Sequence, residues 1–376
     1  MLTWLHIGDL HVSEEDEYES LERLRLIVKQ ANRFLDSSAV DFAFLPGDNA
    51  NHGTPEQYAR IADVLAHLKL PLHAIPGDHD FESGSLDAFQ RMPGASTLPY
   101  ALDIGGHRCL FLDMVSAGNG GPDFRLGITQ RRWLEQELAA QTTIDQRPLV
   151  FMHAYPGDLS EDSEYIGRLF ADAHVAMVDT GHTHYNEVLN DGAVIYAATR
   201  STGQVEEDDG NAGFSIVAVD EDVVSWRFKP LHSPWPFVLI TQPSDHRLVT
   251  NDASAMQVPQ GACVVRAKIF GEAIASVTVR VDDAPWVTMH RVDGEPAVWA
   301  GSISVPDDKS RHRIVVRAQC VNNGVDEDRI SIGRGHLAPA LLPRAPHGTD
   351  HHVVEPWPEH GFLGSQLGPN KGGRKW

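Results

Sequence analysis

The chain has 376 residues, 42% hydrophobic and 22% charged, with 52 acidic against 31 basic side chains and a formal net charge of −21. That length accommodates one large α/β domain and a smaller one. The acidity argues against broad, sequence-independent nucleic-acid binding, which needs a basic surface, and no apolar run is long enough to cross a bilayer. Cys109, Cys263 and Cys320 are too few for a disulfide framework and are not spaced as a zinc site, so they read as reduced, buried thiols. Met1 leads straight into Leu2-Thr3-Trp4-Leu5-His6-Ile7 with no basic n-region or cleavage site, and the expected compartment is the cytoplasm.

The first half alternates strand and helix signals. Trp4 to Gly8 is a short buried strand ending at Asp9, and Glu19 to Leu35 is helical, with Leu21, Leu24, Ile27, Val28, Ala31, Phe34 and Leu35 on one stripe. Val40 to Leu45 forms a second strand ending at Gly47-Asp48. Pro55 opens a helix running to Lys69 with Thr54 as its N-cap. Leu70 to Ile75 is a third strand, ending at Gly77-Asp78-His79-Asp80. Leu149 to Met152 leads to His153, and Val175 to Val178 leads to Gly181-His182-Thr183-His184. Candidate ligands therefore sit just past the carboxyl ends of successive strands, where ligands bind in α/β sheets. Gly47, Gly77 and Gly181 suit the sharp exits.

After Gly192 helices give way to short strands at Ala193–Ala197, Phe214–Val219 and Val223–Phe228. Ser233-Pro234-Trp235-Pro236 marks a boundary. Three parts follow: a first domain over 1–232, a small β-sandwich of immunoglobulin-like type over 237–334, and a Pro-, Gly- and His-rich extended arm over 335–376. The sandwich rests on alternating segments at Cys263–Ile269, Ser276–Val281, Val298–Val305 and His312–Ala318. Dimerisation and substrate capping are the two roles considered for it. In the arm, Trp357, Phe362, Leu363 and Trp376 are unusually apolar for a free tail.

Two divalent ions a few ångströms apart need hard oxygen and imidazole ligands, with one carboxylate able to bridge them. The carboxylates on offer are Asp9, Asp48 and Asp78, and the imidazoles are His11, His153, His182 and His184. In this order, over residues 1 to about 230, the motifs resemble those of the calcineurin-like metallophosphoesterases. Gly47-Asp48-Asn49-Ala50-Asn51-His52-Gly53-Thr54-Pro55-Glu56-Gln57-Tyr58 and Ile75-Pro76-Gly77-Asp78-His79-Asp80 resemble the branch of class III cyclic-nucleotide phosphodiesterases and glycerophosphodiesterases. The resemblance implies a four-layer α/β/β/α sandwich of two mixed sheets flanked by helices. It also implies two metal ions of the Fe, Mn or Zn type. One takes Asp9, His11 and His184, the other takes Asp78, His153 and His182, and Asp48 bridges them. A metal-bridging hydroxide would then attack phosphorus in line. His79 would protonate the leaving oxygen or stabilise phosphate, and Asp80 would orient the His79 ring or raise its basicity.

Two positions depart from that pattern. Asp78 stands where the family usually has Asn, adding a negative charge that should hold the second metal more tightly and weaken its Lewis acidity. Alternatively, it favours a more highly charged ion, such as ferric iron, or a different protonation state of the bridging solvent. Ala154, in His153-Ala154-Tyr155-Pro156, replaces a second histidine common in the branch. The expected function is a dinuclear phosphoesterase acting on a small phosphodiester. A phosphomonoesterase or phosphonate esterase with the same metal core, and a non-catalytic metal- or phosphate-binding module, are the alternatives. No membrane partner is expected, and a homo-oligomer formed through the sandwich is possible on this reading. His6, His52, His67, His73 and His107 read as structural or surface groups. Asn51 and His52 line the pocket or form a turn, Arg200 meets phosphate or a structural partner, and Glu206 to Asp209 is a solvated loop. His347, His351 and His352 belong to a polar tail.

Overall fold

The computed structural model describes residues 1–140, 147–205, 211–250, 261–307, 311–333 and the pair Glu355–Pro356. Strand Leu2–His6 (β1), helix Glu19–Phe34 (α1), strand Phe42–Leu45 (β2), helix Pro55–Leu65 (α2) and strand Leu72–Ala74 (β3) follow in order. The three strands are parallel neighbours. α1 buries Leu21, Leu24, Ile27, Val28 and Ala31, the stripe legible in the sequence. At the head of α2 the Thr54 hydroxyl accepts from the Gln57 amide while the Gln57 side chain returns to the cap backbone, satisfying two orphan donors reciprocally. α2 stops at Leu65 rather than Lys69. There the amides of His67 and Leu68 turn back to the carbonyls of Val64 and Leu65, tightening the last turn.

A second sheet holds the hairpin Tyr100–Ile104 (β4) and His107–Phe111 (β5), then, after helix Gly127–Ala139 (α3), strand Leu149–Phe151 (β6). Helix Ser163–Asp172 (α4) precedes Met177–Thr180 (β7), Glu187–Asn190 (β8) and Ile195–Ala198 (β9). Its order is β8-β9-β7-β6-β5-β4, with Glu355–Pro356 lying parallel on the β8 edge. The rest of the expected arm lies outside the described residues. Gly213–Asp220 (β10) and Val223–Pro230 (β11) return to the first sheet, giving β11-β10-β1-β2-β3. The hairpin, α3 and α4 had no sequence expectation. Of α3's residues only Gln130, Leu134 and Leu138 are buried, too thin a stripe to announce a helix.

Trp4, Phe42 and Phe44 of one sheet meet Phe111, Phe151 and Met177 of the other in a shared core. α1 and α2 cover the outer face of the first sheet, over Leu5, Ile7 and Ala43. The other helices cover the second, over Leu110, Val150 and Val178. The result is a four-layer α/β/β/α sandwich, produced by strict alternation along each strand. No described helix is long and apolar enough to cross a membrane.

Beyond Trp235 come Phe237–Gln242 (β12), Gly261–Phe270 (β13), Ile274–Val281 (β14), Val287–Thr288 (β15), His290–Arg291 (β16), Val298–Val305 (β17), His312–Cys320 (β18) and Val325–Ile332 (β19). They build two antiparallel sheets, β12-β13-β17-β16 and β15-β14-β18-β19, around Val265, Val279, Ile303, Ile314 and Val316. The sandwich is seated firmly. Trp235 stacks on Phe34 at 4.2 Å, Arg227 forks onto Asp326 at 2.6 and 2.9 Å, and Lys268 Nζ reaches Thr3 Oγ1 at 2.6 Å and the Ala39 carbonyl. Thr3 and Ala39 lie where β1 and β2 begin, whereas Asp9 and Asp48 lie past where they end. The sandwich therefore occupies the end of the sheets opposite the candidate ligands, which removes the capping role considered for it.

Lys268 is 5% exposed, and burial pushes its ammonium down from 10.5 to about 8. The unfolded chain keeps this proton up to the ordinary value, while the folded chain releases it earlier, so Lys268's contribution to stability rises with pH across that window. In denaturant unfolding, the stability of wild type minus that of Lys268→Met should climb by about 3 kcal/mol between pH 8 and 10.5. A flat difference would show that the lysine is not desolvated.

Candidate metal centre

Every proposed ligand sits where a strand stops. Asp9 and His11 follow β1, Asp48 follows β2, Asp78 follows β3, His153 follows β6, and His182 and His184 follow β7. The structure brings all seven together in two groups: Asp9, His11, Asp48 and His184, and Asp48, Asp78, His153 and His182. Within each group the ligand atoms lie within 4.8 Å of one another. Asp48 belongs to both, its Oδ2 lying 3.6 Å from His11 Nε2 and 3.4 Å from His153 Nε2. Asp78 Oδ1 lies 3.3 Å from His153 Nε2 and 3.6 Å from His182 Nδ1.

The turns carry backbone strain. His11, Asp48, His182 and His184 all have positive φ, between 42° and 64°. A side chain in the left-handed region costs about 1 kcal/mol or more, and such costs concentrate at functional sites. A Cβ at Gly77 would lie 2.2 Å from Asp48 Oδ1, and one at Gly181 would lie 2.2 Å from Asp9 Oδ1. Only glycine lets these two turns close so tightly on the carboxylates.

The donor set fits two cations. Asp9 Oδ1, Asp78 Oδ1 and His153 Nε2 are buried without a hydrogen-bond partner among the described residues. His11 Nε2 and His184 Nε2 face each other at 2.9 Å. Buried polar atoms left unpaired are costly, and carboxylate oxygens with imidazole nitrogens are the ligands that Fe, Mn and Zn ions take. Outer partners set the rings. His153 Nδ1 donates to the Pro46 carbonyl at 2.8 Å and His11 Nδ1 to Asn51 Oδ1 at 3.1 Å, which turns each Nε2 towards the centre.

His79 stands at the mouth. Its amide donates to Asp48 Oδ1 at 3.0 Å, its ring meets the His11 ring edge-on at 4.7 Å, and its side chain is 30% exposed. Its Nδ1 donates to the Asn51 carbonyl at 2.8 Å and lies 3.3 Å from Glu82. Asp80 does not orient this ring, contrary to the expectation. Its buried carboxylate instead accepts from the amides of Asn49, Ala50 and Gly77, from the Asn49 side chain and from the Tyr58 hydroxyl. Asp80 thus staples the β2 and β3 exits to α2, while Asn51 aligns both His11 and His79. The sequence alone fits a pocket or a turn role for Asn51, because its partner His11 lies 40 positions away.

The other candidates are structural. Arg200 is fully buried, donates to the Asn211 carbonyl at 2.6 Å and lies over the Phe228 ring. His107 pairs with the Arg147 carbonyl, and His52 joins Glu82 at 2.7 Å and Glu15 at 3.4 Å. Beside Ala154 the wall is apolar: Phe124 meets the His182 ring at 4.9 Å and the His153 ring at 5.7 Å. Glu206 to Asp209, His347, His351 and His352 lie outside the described residues.

Burial pushes the Asp9 carboxyl up to about 6 despite the neighbouring His153 and His184. Burial acts in the same sense on Asp48, but His153 and His11 outweigh it and hold Asp48 well below the carboxylate range. Burial lowers His11 well below the ordinary imidazole value and takes His182 down to about 4. At His79 burial also lowers the ring, but the Asp48 charge and the Asn51 carbonyl overcome it, so the net shift is upward. At His153 burial lowers the ring too, but the Asp48, Asp78 and Asp9 carboxylates outweigh it and hold the imidazole well above the ordinary value, so a metal ion taking Nε2 would displace a proton there.

The family model of the calcineurin-like phosphoesterases matches residues 2–186, and this part of the chain belongs to that family. It is similar to a probable cyclic nucleotide phosphodiesterase of Fibrobacter succinogenes, at 28% identity over 40% of this chain and 56% of that protein. A probable cyclic nucleotide phosphodiesterase of Synechococcus matches at 25% identity over 51% of this chain and 77% of its own length. The glycerophosphodiester phosphodiesterase GpdQ of Enterobacter lignolyticus matches at 33% identity over 31% of this chain. The matches span from 42% to 77% of these three relatives.

Removing the Asp80 staple orphans several buried donors at once, each costing about 1–3 kcal/mol. Asp80→Ala should therefore lower the unfolding free energy by about 3 kcal/mol or more in urea titration. A loss under about 1 kcal/mol would mean that the loops hold without it.

Proposed function

We propose that the protein is a dinuclear metal-dependent phosphoesterase that hydrolyses a small phosphodiester, of the cyclic-nucleotide or glycerophosphodiester type. The observation that carries this reading is the pair of buried carboxylate–imidazole clusters sharing Asp48. Asp9, His11 and His184 would hold one ion and Asp78, His153 and His182 the other, with Asp48 between them. When bound, two such ions supply Lewis acidity and a water acidic enough to attack at neutral pH. His79 presents Nε2 beside this centre, with Nδ1 committed to Asn51, and its upward shift favours the protonated ring that can hand a proton to a leaving alkoxide. Asn51 and Asp80 act through other groups, holding rings and loops. The completeness of both ligand groups favours catalysis over a binding-only module. The diester class is supported by the names of the related proteins.

The three buried free cysteines accord with a reducing cytoplasm as the compartment. Self-association through the 237–334 sandwich is part of the same proposal. Its seat opposite the ligands leaves the centre open when copies pair there, and a monomeric mass in solution would reject it.

The protein loaded with Mn²⁺ should turn over a bis-aryl phosphodiester, a cyclic nucleotide or a glycerophosphodiester at least tenfold faster than an aryl monoester. Chelation should abolish the activity. His79→Ala should cost about 10²–10⁴-fold with an alkyl leaving group and much less with a nitrophenyl one, which needs no proton. A monoester preference would overturn the diester reading, and an equal loss on both leaving groups would remove the acid role.

A further inference from the structure

The layer between the two sheets is mostly aromatic and aliphatic, and a buried polar cluster interrupts it close to the ligand-bearing turns. There Asp179, 1% exposed on β7, takes a hydrogen bond from Trp4 Nε1 at 2.6 Å and another from His6 Nδ1 at 2.8 Å, both from β1. Trp4 also stacks on Phe42 and meets Phe151 edge-on, and His6 lies edge-on to Phe44. A second link runs alongside. Ser215, the register partner of His6, accepts from Thr199 at 2.9 Å. Asp9 follows His6 by three positions and His182 follows Asp179 by three, and the His182 amide donates to Asp9 Oδ2 at 2.7 Å. The polar cluster therefore lies directly beneath the place where the two halves of the centre meet.

Each ligand group needs both sheets. Asp9, His11, Asp48 and Asp78 come from the first, whereas His153, His182 and His184 come from the second. A slip of one sheet over the other would open both groups together. Apolar packing resists separation but is non-directional, so it tolerates such a slip. Two short hydrogen bonds onto one carboxylate do not. Stability alone does not account for the cluster. His6 Nε2 is buried with no partner among the described residues, and a buried polar group can often be replaced by an apolar one at no loss of stability.

We propose that the Trp4–Asp179–His6 cluster is a positioning device that fixes the two sheets in the relative placement the metal centre requires. This inference rests on the dinuclear reading above. None of the three residues touches the reacting atoms. They act through the turns that begin at Ile7 and Gly181.

Two variants of the full chain test it: the apolar pair His6→Leu/Asp179→Leu, and the isosteric Asp179→Asn, which decides if the pair fails to fold. Mn²⁺ binding is followed by equilibrium dialysis, the coupled dimanganese signal by electron paramagnetic resonance, and folding by thermal melts. The apolar pair leaves the Trp4 indole N–H without its acceptor and should melt several degrees below wild type while staying folded, yet bind at least one Mn²⁺ tenfold or more weakly and lose the coupled signal. Asp179→Asn should show the same change, at several-fold. Variants that bind two Mn²⁺ with wild-type affinity and signal would overturn the positioning role alone. A wild type that binds fewer than two would overturn the dinuclear reading, and this inference with it.

Discussion

Neither ligand group can form within one sheet, and that constraint organises the rest of the molecule. The first sheet delivers its carboxylates at the ends of β1, β2 and β3, and the second delivers imidazoles at the ends of β6 and β7. The groups meet only because Trp4, Phe42 and Phe44 pack flush against Phe111, Phe151 and Met177, stacking one sheet on the other. Helices on both outer faces complete the burial, and the β-sandwich braces the far end through Trp235, Arg227 and Lys268. Structure far from the chemistry thus serves the alignment of strand ends.

The electrostatics follow from that convergence. Three carboxylates and four imidazoles share a volume from which most water is excluded, and the ordinary titration of Asp9, Asp48, His11, His153 and His182 is distorted in opposite directions. Asp48 is held ionised between His11 and His153, while His11 and His182 are pushed towards neutrality. Such a set is poor as a self-contained salt-bridge network, since His153 Nε2 lies 3.3–3.4 Å from Asp78 and Asp48 yet neither it nor Asp9 Oδ1 nor Asp78 Oδ1 makes a well-aligned hydrogen bond among the described residues. It becomes coherent once two cations stand among the donors. Asp78 makes the donor sets alike, each with two carboxylates and two imidazoles.

Much of this was legible in the sequence because it is local. Each candidate ligand lies within a few residues of the strand that aims it, and the Thr54 cap and the α1 stripe are short-range patterns that the structure reproduces. The boundary at Ser233–Pro236 and the alternation beyond it announced strands. What escaped has no local signature. Asp80 looked like a partner for its neighbour His79 but bonds instead to residues 22 to 31 positions away and to Gly77. Asp179 reaches Trp4 across 175 positions and His6 across 173, distances at which periodicity carries no information. The seat of the sandwich was equally invisible, because Lys268 and Thr3 are 265 positions apart.

The proposed chemistry needs two ions in one centre. Metal-free protein titrated with Mn²⁺, with bound metal and phosphodiester hydrolysis read on the same samples, tests it. Two ions should bind per chain, with hydrolysis negligible at the first equivalent and rising as the second site fills. Full activity at one equivalent, or two bound ions with no phosphoester cleaved, would contradict it.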